Sequence, residues 1–509
     1  DNKEEDNSKY KRRTCCWFFW GAVLAIFAIQ LTFVPHLITV TIRNNIEDAF
    51  IFTEPDPDND HYQTWLTNSA SGSVPIMFSI QFFNVTNPDA VLQGATPNLS
   101  LVGPLVYNQY FWRKNVNFSE DGEYVNQTFY TQYLWNQELS KINPHEKLTI
   151  FSPLVGTLYH KWNVSGVIGR EEMKEVMKEF EKDPNLLFWR DQQAADLIWS
   201  IYHFKPLDFE WGFMRNESNQ YYVLHTGKNA PKRMGEVQRW CRSPATMECL
   251  YNESTEYISA WDPPMPINPG HLFYEGVYAL TDLDDKNDVP PLWIDILFRN
   301  IYLTYNKTYN FKGIELYKYG IQLDPQLSNA SQYPPNAQFN QFGPSGILNS
   351  SAAYDDIAIY LAMVLFYGAP DYLANNSNLS IPLPGPYDYP FIDIEPRTGA
   401  VFYANASMQI CTPSHSLPNI NEIEVKEGEP NLFNIVDDMM IPIYLVTFSD
   451  ELTDSIADNF KSNMALGNHL HEASVVIGWT AVALLIIWGF VTTFAAGIYY
   501  VGLKMRNIN

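Results

Sequence analysis

Two uninterrupted apolar runs constrain this chain more than anything else in it. Residues 17–40 span 24 positions without a charge, and residues 473–501 span 29. At ~1.5 Å per helical residue, either run crosses a hydrocarbon core of ~30 Å with some tilt. Backbone inside lipid has no water to bond, so each run is expected as a helix that satisfies its own N–H and C=O groups. A cleaved signal peptide is the alternative for the first run. It fits poorly, because the run is long and Thr39-Val40-Thr41 is not a small-residue cleavage site.

Flanking charge sets the orientation. Lys9, Lys11, Arg12 and Arg13 precede the first run and Lys504 and Arg506 follow the second, whereas only Arg43 stands near the other end of the first. Positive residues stay on the cytosolic side. The expected organisation is a cytosolic tail at 1–16, a transmembrane helix at 17–40, a lumenal or extracellular domain at 41–472, a second transmembrane helix at 473–501 and a cytosolic tail at 502–509. Cys15 and Cys16 lie at the cytosolic edge beside the basic cluster, as S-palmitoylation sites or as two unmodified interfacial thiols.

An independent signal agrees with this topology. Thirteen N-x-S/T sequons occur, at Asn84, Asn98, Asn117, Asn126, Asn163, Asn216, Asn252, Asn306, Asn329, Asn349, Asn375, Asn378 and Asn405, all in the middle segment and none in the tails. Single sequons arise by chance, but thirteen confined to the loop that charge places outside mark a glycoprotein. Residues 44–473 hold 25 of the 33 basic and 53 of the 57 acidic residues, a net charge of −28. That field, and −24 for the whole chain, excludes nucleic acid as a partner.

Three cysteines lie outside the membrane. Cys241 and Cys249 are eight apart and close enough in sequence to form a small disulfide in an oxidising compartment; Cys411 is then left single, unless it pairs with one of them instead. With so few bridges the domain must rely on its own core. The sequence is 46% hydrophobic and 15% aromatic, too apolar for disorder and rich in strand-forming residues. Strands are expected over 74–85, 221–225, 314–321 and 391–402, cut by Pro and Gly turns. Residues 169–182 differ, with Met173, Val176, Met177 and Phe180 at helical spacing, and 190–202 offer a second helix with Ala194, Leu197, Ile198 and Ile201 as its stripe. The reading is an α+β, β-rich ectodomain carrying a helical bundle over about 144–205. With no internal repeat and no low-complexity linker, one continuous domain is expected.

Five short motifs in fixed order resemble the family of CD36, the class B scavenger receptors and the lysosomal integral membrane proteins. They are Phe82-Phe83-Asn84-Val85-Thr86-Asn87-Pro88-Asp89-Ala90-Val91; Gly103-Pro104-Leu105-Val106-Tyr107; Thr226-Gly227-Lys228 with Trp240 downstream; Phe311-Lys312-Gly313-Ile314 leading into Tyr317-Lys318-Tyr319; and Ile392-Asp393-Ile394-Glu395-Pro396-Arg397-Thr398-Gly399. Three departures stand out. The family's several disulfides shrink here to one or two, Leu105 replaces an aromatic, and the last six residues carry no dileucine sorting signal.

The resemblance implies an antiparallel β barrel pierced by an apolar tunnel, capped by helices where ligands dock. It further implies a plasma-membrane or endolysosomal receptor that captures lipids or lipoprotein-like particles and passes lipid toward the bilayer. A bound fatty acid, sterol or phospholipid and N-glycans are expected, with no other cofactor and no metal. Protein ligands and a second copy of the chain are further candidate partners. Lys174, Lys178 and Lys182, at i, i+4 and i+8, correspond to family lysines that hold anionic ligands at the apex. Glu171, Glu175 and Glu179 on the same helix are their alternative partners.

Enzymatic activity is not expected, since the chain has no G-x-S-x-G, H-E-x-x-H, Walker-type or G-x-G-x-x-G motif. His469 and His471, the closest histidine pair, read as a solvated juxtamembrane pair, with metal binding or a pH sensor as the alternative. Two other functions compete. An adhesion or protein-binding receptor, including a lysosomal hydrolase escort, would need no lipid transfer. A trimeric ligand-gated channel would need more external disulfides and an acidic or amide ring in its spans, of which the second offers Thr480, Thr492 and Thr493 instead.

Overall fold

The computed structural model describes residues 51–68, 75–161, 169–204, 209–266, 285–321, 346–373, 390–414 and 439–462, short gaps within them excepted, and isolated helical positions at 40–44 and 475–483. Phe50–Thr453 forms one compact unit, and Asp1–Ala49 with Asp454–Asn509 forms another. Apart from those isolated positions, the runs 17–40 and 473–501 lie outside the described residues, as do the tails with Cys15 and Cys16 and the pair His469 and His471. No helix among the described residues is long and apolar enough to cross a membrane.

The larger unit is built on strands. Its first half carries β1 (Ile76–Val85), β2 (Leu99–Phe118), β3 (Tyr124–Trp135), β4 (Lys147–Phe151), β5 (Phe188–Gln193), β6 (Tyr202–Phe204) and β7 (Phe209–Trp211). Then come β8 (Glu217–His225), β9 (Val237–Cys241), β10 (Cys249–Asn252), β11 (Tyr257–Ile258), β12 (Met265–Pro266), β13 (Leu292–Ile294) and β14 (Arg299–Ile301). The last are β15 (Leu303–Phe311), β16 (Ile314–Ile321), β17 (Ile347–Asn349), β18 (Tyr360–Ala362), β19 (Phe391–Ile394), β20 (Val401–Ser414) and β21 (Met439–Glu451).

Fifteen of these join one sheet in the order β12-β11-β10-β9-β8-β3-β2-β1-β21-β20-β19-β16-β15, with β18 attached to β20 and β17 to β18. Neighbours along the path are antiparallel, as expected for a β-rich body. Among the described residues the path stays open, because no pairing joins β12 to β15.

The middle of the sheet is buried on both faces. Phe78, Ile80 and Phe82 of β1 turn to the main core, while Phe83 packs with Val364, Leu365 and Leu445 on the other side. Between Ile80 and Phe82 the register against β2 shifts, and Gly103 sits opposite this shift. A Cβ there would stand 3.0 Å from the Ile80 carbonyl oxygen, and its φ of +128° suits only glycine. The Gly103-Pro104 motif is therefore a backbone requirement of the β1–β2 bulge.

Other motifs prove equally structural. Asn87 clamps the β1–β2 connection, its Nδ2 donating to Thr96 O at 2.9 Å and its Oδ1 accepting from Asn98 N at 2.7 Å. Thr226 Oγ1 donates to Gly122 O at 2.6 Å and Lys228 Nζ to Asp121 O at 2.6 Å, joining the β8 exit to the β2–β3 turn. Residues 391–402, expected as strand with turn punctuation, belong to two strands with a turn between them. Glu395 Oε2 accepts from Thr398 N and Oγ1, both at 2.8 Å, and closes a turn between β19 and β20.

Residues 144–205 are mixed rather than wholly helical. The helices Pro153–Tyr159, Arg170–Lys182 and Ala194–Trp199 accompany the antiparallel pair β4–β5. Met173 and Val176 are buried as the periodicity required, and Gly169 N donates to Glu172 Oε2 at 2.8 Å, capping the longest of the three. The expected helix over 190–202 is a correction. Its first part is β5, held against β4 by pairing that overrides local propensity, and only Ala194–Trp199 is helical. Ala194, Leu197 and Ile198 are buried, whereas Ile201, beyond the helix end, is 45% exposed. Helix Pro153–Tyr159 lies so close on β20 that a Cβ at Gly156 would meet Thr412 Oγ1 at 2.1 Å.

Candidate functional site

An apolar cavity of about 100 Å³ opens against the inner face of β20 and β21. Strand alternation builds its wall. Met408 and Ile410 share one face of β20, Val446 and Phe448 share one face of β21, and Met408 pairs directly with Val446. Leu361 of β18, with Ile357 and Ile359 before it, extends this wall, and Gly212, Phe213, Leu297 and Tyr354 complete the lining. Among the described residues no charged side chain lines it. The next residues on the far side of β20 behave differently: Gln409 is fully buried there and accepts from Leu365 N at 3.1 Å.

Aromatic contacts fix the cavity's rim. Phe213 stacks on Tyr444 with ring centroids 4.7 Å apart, and Phe448 lies 5.0 Å from Phe78. Tyr444 Oη donates to Leu197 O at 2.9 Å, so helix Ala194–Trp199 is tied to β21 beside the cavity. The helical region and the apolar interior are thus mechanically joined through one tyrosine.

A second constellation gathers charge. Arg233, in the β8–β9 turn, donates from Nε and Nη2 to the two oxygens of Glu236, both at 2.7 Å, and from Nη2 to Glu253 Oε1 at 2.6 Å. Nη2 also reaches His225 Nε2 at 2.8 Å. Burial and the neighbouring guanidinium both disfavour the protonated ring, so the 3.4 Å approach of His225 to Glu253 is made by a neutral imidazole rather than as an ion pair. Burial, and then the Arg233 charge, hold the His225 pKa below its ordinary value. Burial opposes ionisation of Glu253, yet bonding and attraction from Arg233 keep its pKa below the usual range. Bonding to Glu236 raises that of Arg233. Ligand atoms of His225, Glu236 and Glu253 lie within 4.8 Å of one another, as a metal centre would require. The guanidinium fills the space where the metal would sit, so the cluster is a closed ion-pair network.

A third group is the pair Lys318–Asp393, at 3.3 Å, with Tyr309 Oη donating to Asp393 Oδ2 at 2.5 Å. Burial shifts both partners toward neutrality, lowering Lys318 and raising Asp393. Lys318 Nζ also sits 3.1 Å from the Phe391 ring centre, which makes the pair an internal strut between β16 and β19.

The residues singled out in the sequence fall as follows. Cys241 and Cys249 form a disulfide between the paired strands β9 and β10. Cys411 is free and buried, and burial pushes its thiol up to about 12. Lys178 and Lys182 are exposed on helix Arg170–Lys182, and Lys182 Nζ pairs with Glu179 Oε1 at 2.6 Å. The Lys174 side chain lies outside the described residues. Of the sequons, Asn98, Asn117 and Asn306 are exposed; Asn84, Asn126, Asn252 and Asn405 are half-buried; and Asn163, Asn216, Asn329, Asn375 and Asn378 lie outside the described residues. Asn349 is buried, and its Oδ1 accepts from Ser351 N at 3.0 Å. The cavity wall and the Arg233 network were not anticipated. Alternation within 401–414 and 439–451 marks buried strands, but nothing in it separates a cavity wall from a filled core.

Several known proteins are similar to this chain in sequence. Lysosome membrane protein 2 of Mus musculus is 24% identical over 504 residues, covering 95% of each chain. Scavenger receptor class B member 1 of Bos taurus is 22% identical over 436 residues, 82% of this chain and 78% of that protein. Sensory neuron membrane protein 2 of Anopheles gambiae is 29% identical over a shorter stretch, 33% of this chain and 27% of the other. The CD36 family model matches residues 19–494. With that match spanning nearly all of it, the chain belongs to the CD36 family.

Proposed function

We propose that this protein is a two-span membrane receptor whose lumenal or extracellular domain takes lipid from particles or membranes and passes it through an apolar interior toward the bilayer. The observation that carries the reading is the uncharged cavity between β20–β21 and the 354–361 segment. Each methylene moved from water into such a space gains ~0.8 kcal/mol. A dry apolar cavity of ~150 Å³ admits benzene, so about 100 Å³ accepts part of a lipid and serves as one station of a longer conduit. Relatives named as scavenger receptors support lipid or lipoprotein-like ligands, and those named as lysosome membrane proteins support an endolysosomal or plasma-membrane site. In the working form the open sheet path closes into a barrel around the conduit, and Lys174, Lys178 and Lys182 gather anionic ligands at the apex.

Native-lipid mass spectrometry of the detergent-purified protein tests this. A defined lipid that co-purifies, and is displaced by Met408→Trp, is the expected result. Protein that is lipid-free, and takes up no labelled lipid, overturns the reading. A protein-binding receptor is then the better reading, favoured by the exposed Leu134, Trp135 and Leu139, at 49%, 41% and 50%, which form an apolar projection at the end of β3.

A further inference from the structure

One rung of side chains crosses four strands of the sheet, away from the apolar cavity. Lys307 of β15 pairs with Lys318 of β16, Lys318 with Asp393 of β19, and Asp393 with Tyr403 of β20. Directly paired residues on antiparallel strands point to the same side, and two like charges so placed repel. Tyr309, two residues along β15 from Lys307, reaches the same face, its Oη donating to Asp393 Oδ2 at 2.5 Å. The ring centres of Phe391, Tyr309 and Tyr403 stand 3.1, 5.5 and 6.0 Å from Lys318 Nζ. Asp393 is 0% exposed, and its Oδ1 has no hydrogen-bond partner among the described residues. Buried carboxylate oxygens normally find one. The Lys318 side chain is 17% exposed and so stays reachable.

We infer that Lys318 is a reactive lysine that captures an aldehyde as a Schiff base, with Asp393 as the acid of that reaction. This is a covalent site separate from the apolar cavity, and it does not rest on the lipid reading. Only a neutral amine attacks a carbonyl, and a lysine is activated by desolvation and by a second cation beside it. Both are present: burial, and then the Lys307 charge, lower the Lys318 pKa against the pull of Asp393. Burial raises that of Asp393, which favours its protonated form. Because Tyr309 occupies Oδ2, Oδ1 is the oxygen left to carry the acidic proton. The Nζ lone pair forms the bond to the carbonyl carbon, and a proton from nitrogen passes to the former carbonyl oxygen. Asp393 then protonates that hydroxyl, which leaves as water. One amine, one aldehyde and one carboxylic acid thus give an iminium, a carboxylate and water, with no oxidant or reductant. The carboxylate left behind faces the iminium and stabilises it. Three aromatic rings around Nζ favour an apolar aldehyde over a sugar.

The experiment treats the full-length glycoprotein at pH 7 with hexanal and cyanoborohydride, which reduces each imine to a stable amine. Peptide mass spectrometry then reads the labelling rate lysine by lysine. Lys318 is expected to react about tenfold faster than the exposed Lys141 and Lys147. Asp393→Asn removes the acid while leaving the amine without its counter-charge, so a drop of about tenfold at Lys318 alone reports proton donation rather than amine basicity. Lys307→Gln, at an exposed position, leaves the core intact and should slow Lys318 about twofold by restoring its basicity. Labelling of Lys318 no faster than that of Lys141 and Lys147 overturns the inference, and the pair is then a strut alone. Unchanged labelling in an Asp393→Asn protein that melts like the parent overturns the acid role. Should Asp393→Asn fail to fold, an unchanged Lys318 rate in Lys307→Gln overturns the activation.

Discussion

Replacing Arg233 by Met keeps an unbranched apolar stem and removes the guanidinium and its charge. Its hydrogen bonds to Glu236 and Glu253 and its contact with His225 disappear. The decisive partner is Glu236, whose side chain is only 2% exposed and is left as a buried, uncompensated carboxylate. Breaking a buried pair from one side costs ~3–5 kcal/mol. Arg233 and Glu253 are each about a third exposed, so water takes over part of their loss and the lower end, about 3 kcal/mol, is the working figure. With an unfolding entropy of roughly 2.1 cal/mol/K per residue over the roughly 400 residues of Phe50–Thr453, the melting temperature should drop by about 3–4 °C. Scanning calorimetry of both proteins at one fixed scan rate reads this, since a large glycoprotein need not unfold reversibly. Adding Glu236→Gln to Arg233→Met neutralises the stranded charge and should restore at least half of the drop. A single variant melting within 1 °C of the parent, or a double variant melting no higher than the single, would refute the reasoning.

Other outcomes follow from the same structure. Reducing the Cys241–Cys249 link by a Cys→Ser pair frees a loop spanning eight residues of separation, worth about 2.5 kcal/mol by loop-closure entropy; an unchanged melting temperature would show that the β9–β10 pairing alone holds it. Because His225 is held neutral in the fold, while its unfolded form takes a proton near pH ~6.5, its contribution is complete above that pH and is lost as pH falls toward the folded value. His225→Gln should flatten the melting-temperature profile between pH 7 and 5, whereas Asp393 and Asp450, raised by burial, act in the opposite direction and are untouched by the substitution. Glycopeptide mapping should find Asn98, Asn117 and Asn306 occupied and Asn349 bare, since only the last is buried; a glycan on Asn349 would contradict the β17–β18 packing. Changing Lys174, Lys178 and Lys182 together to Glu should weaken capture of anionic lipid particles several-fold at low salt, with the effect fading as salt screens it; equal binding would leave these lysines as partners of their own helix, as Lys182 already is of Glu179.

Sequence alone determined whatever depends on neighbours along the chain. Apolar length and flanking charge specify the two expected spans, and alternation marked Ile314–Ile321, which the structure reproduces to the residue. Helical spacing marked Arg170–Lys182, with Met173 and Val176 inside. The family motifs were legible because they are local backbone devices: a glycine at a bulge, an asparagine clamp, a glutamate-closed turn. Tertiary structure decided what depends on partners remote in sequence. Residues 188–193 became a strand because β4 was there to pair with them. His225, Arg233, Glu236 and Glu253 meet only because β8 and β9 are paired and β10 returns beside them. Met408, Val446 and Leu361 carry the same alternation as any filled core. Whether three such strands close on one another or leave a cavity depends on volumes contributed by Phe213, Leu297 and Tyr354, and no local pattern in a chain records the space its distant segments fail to fill.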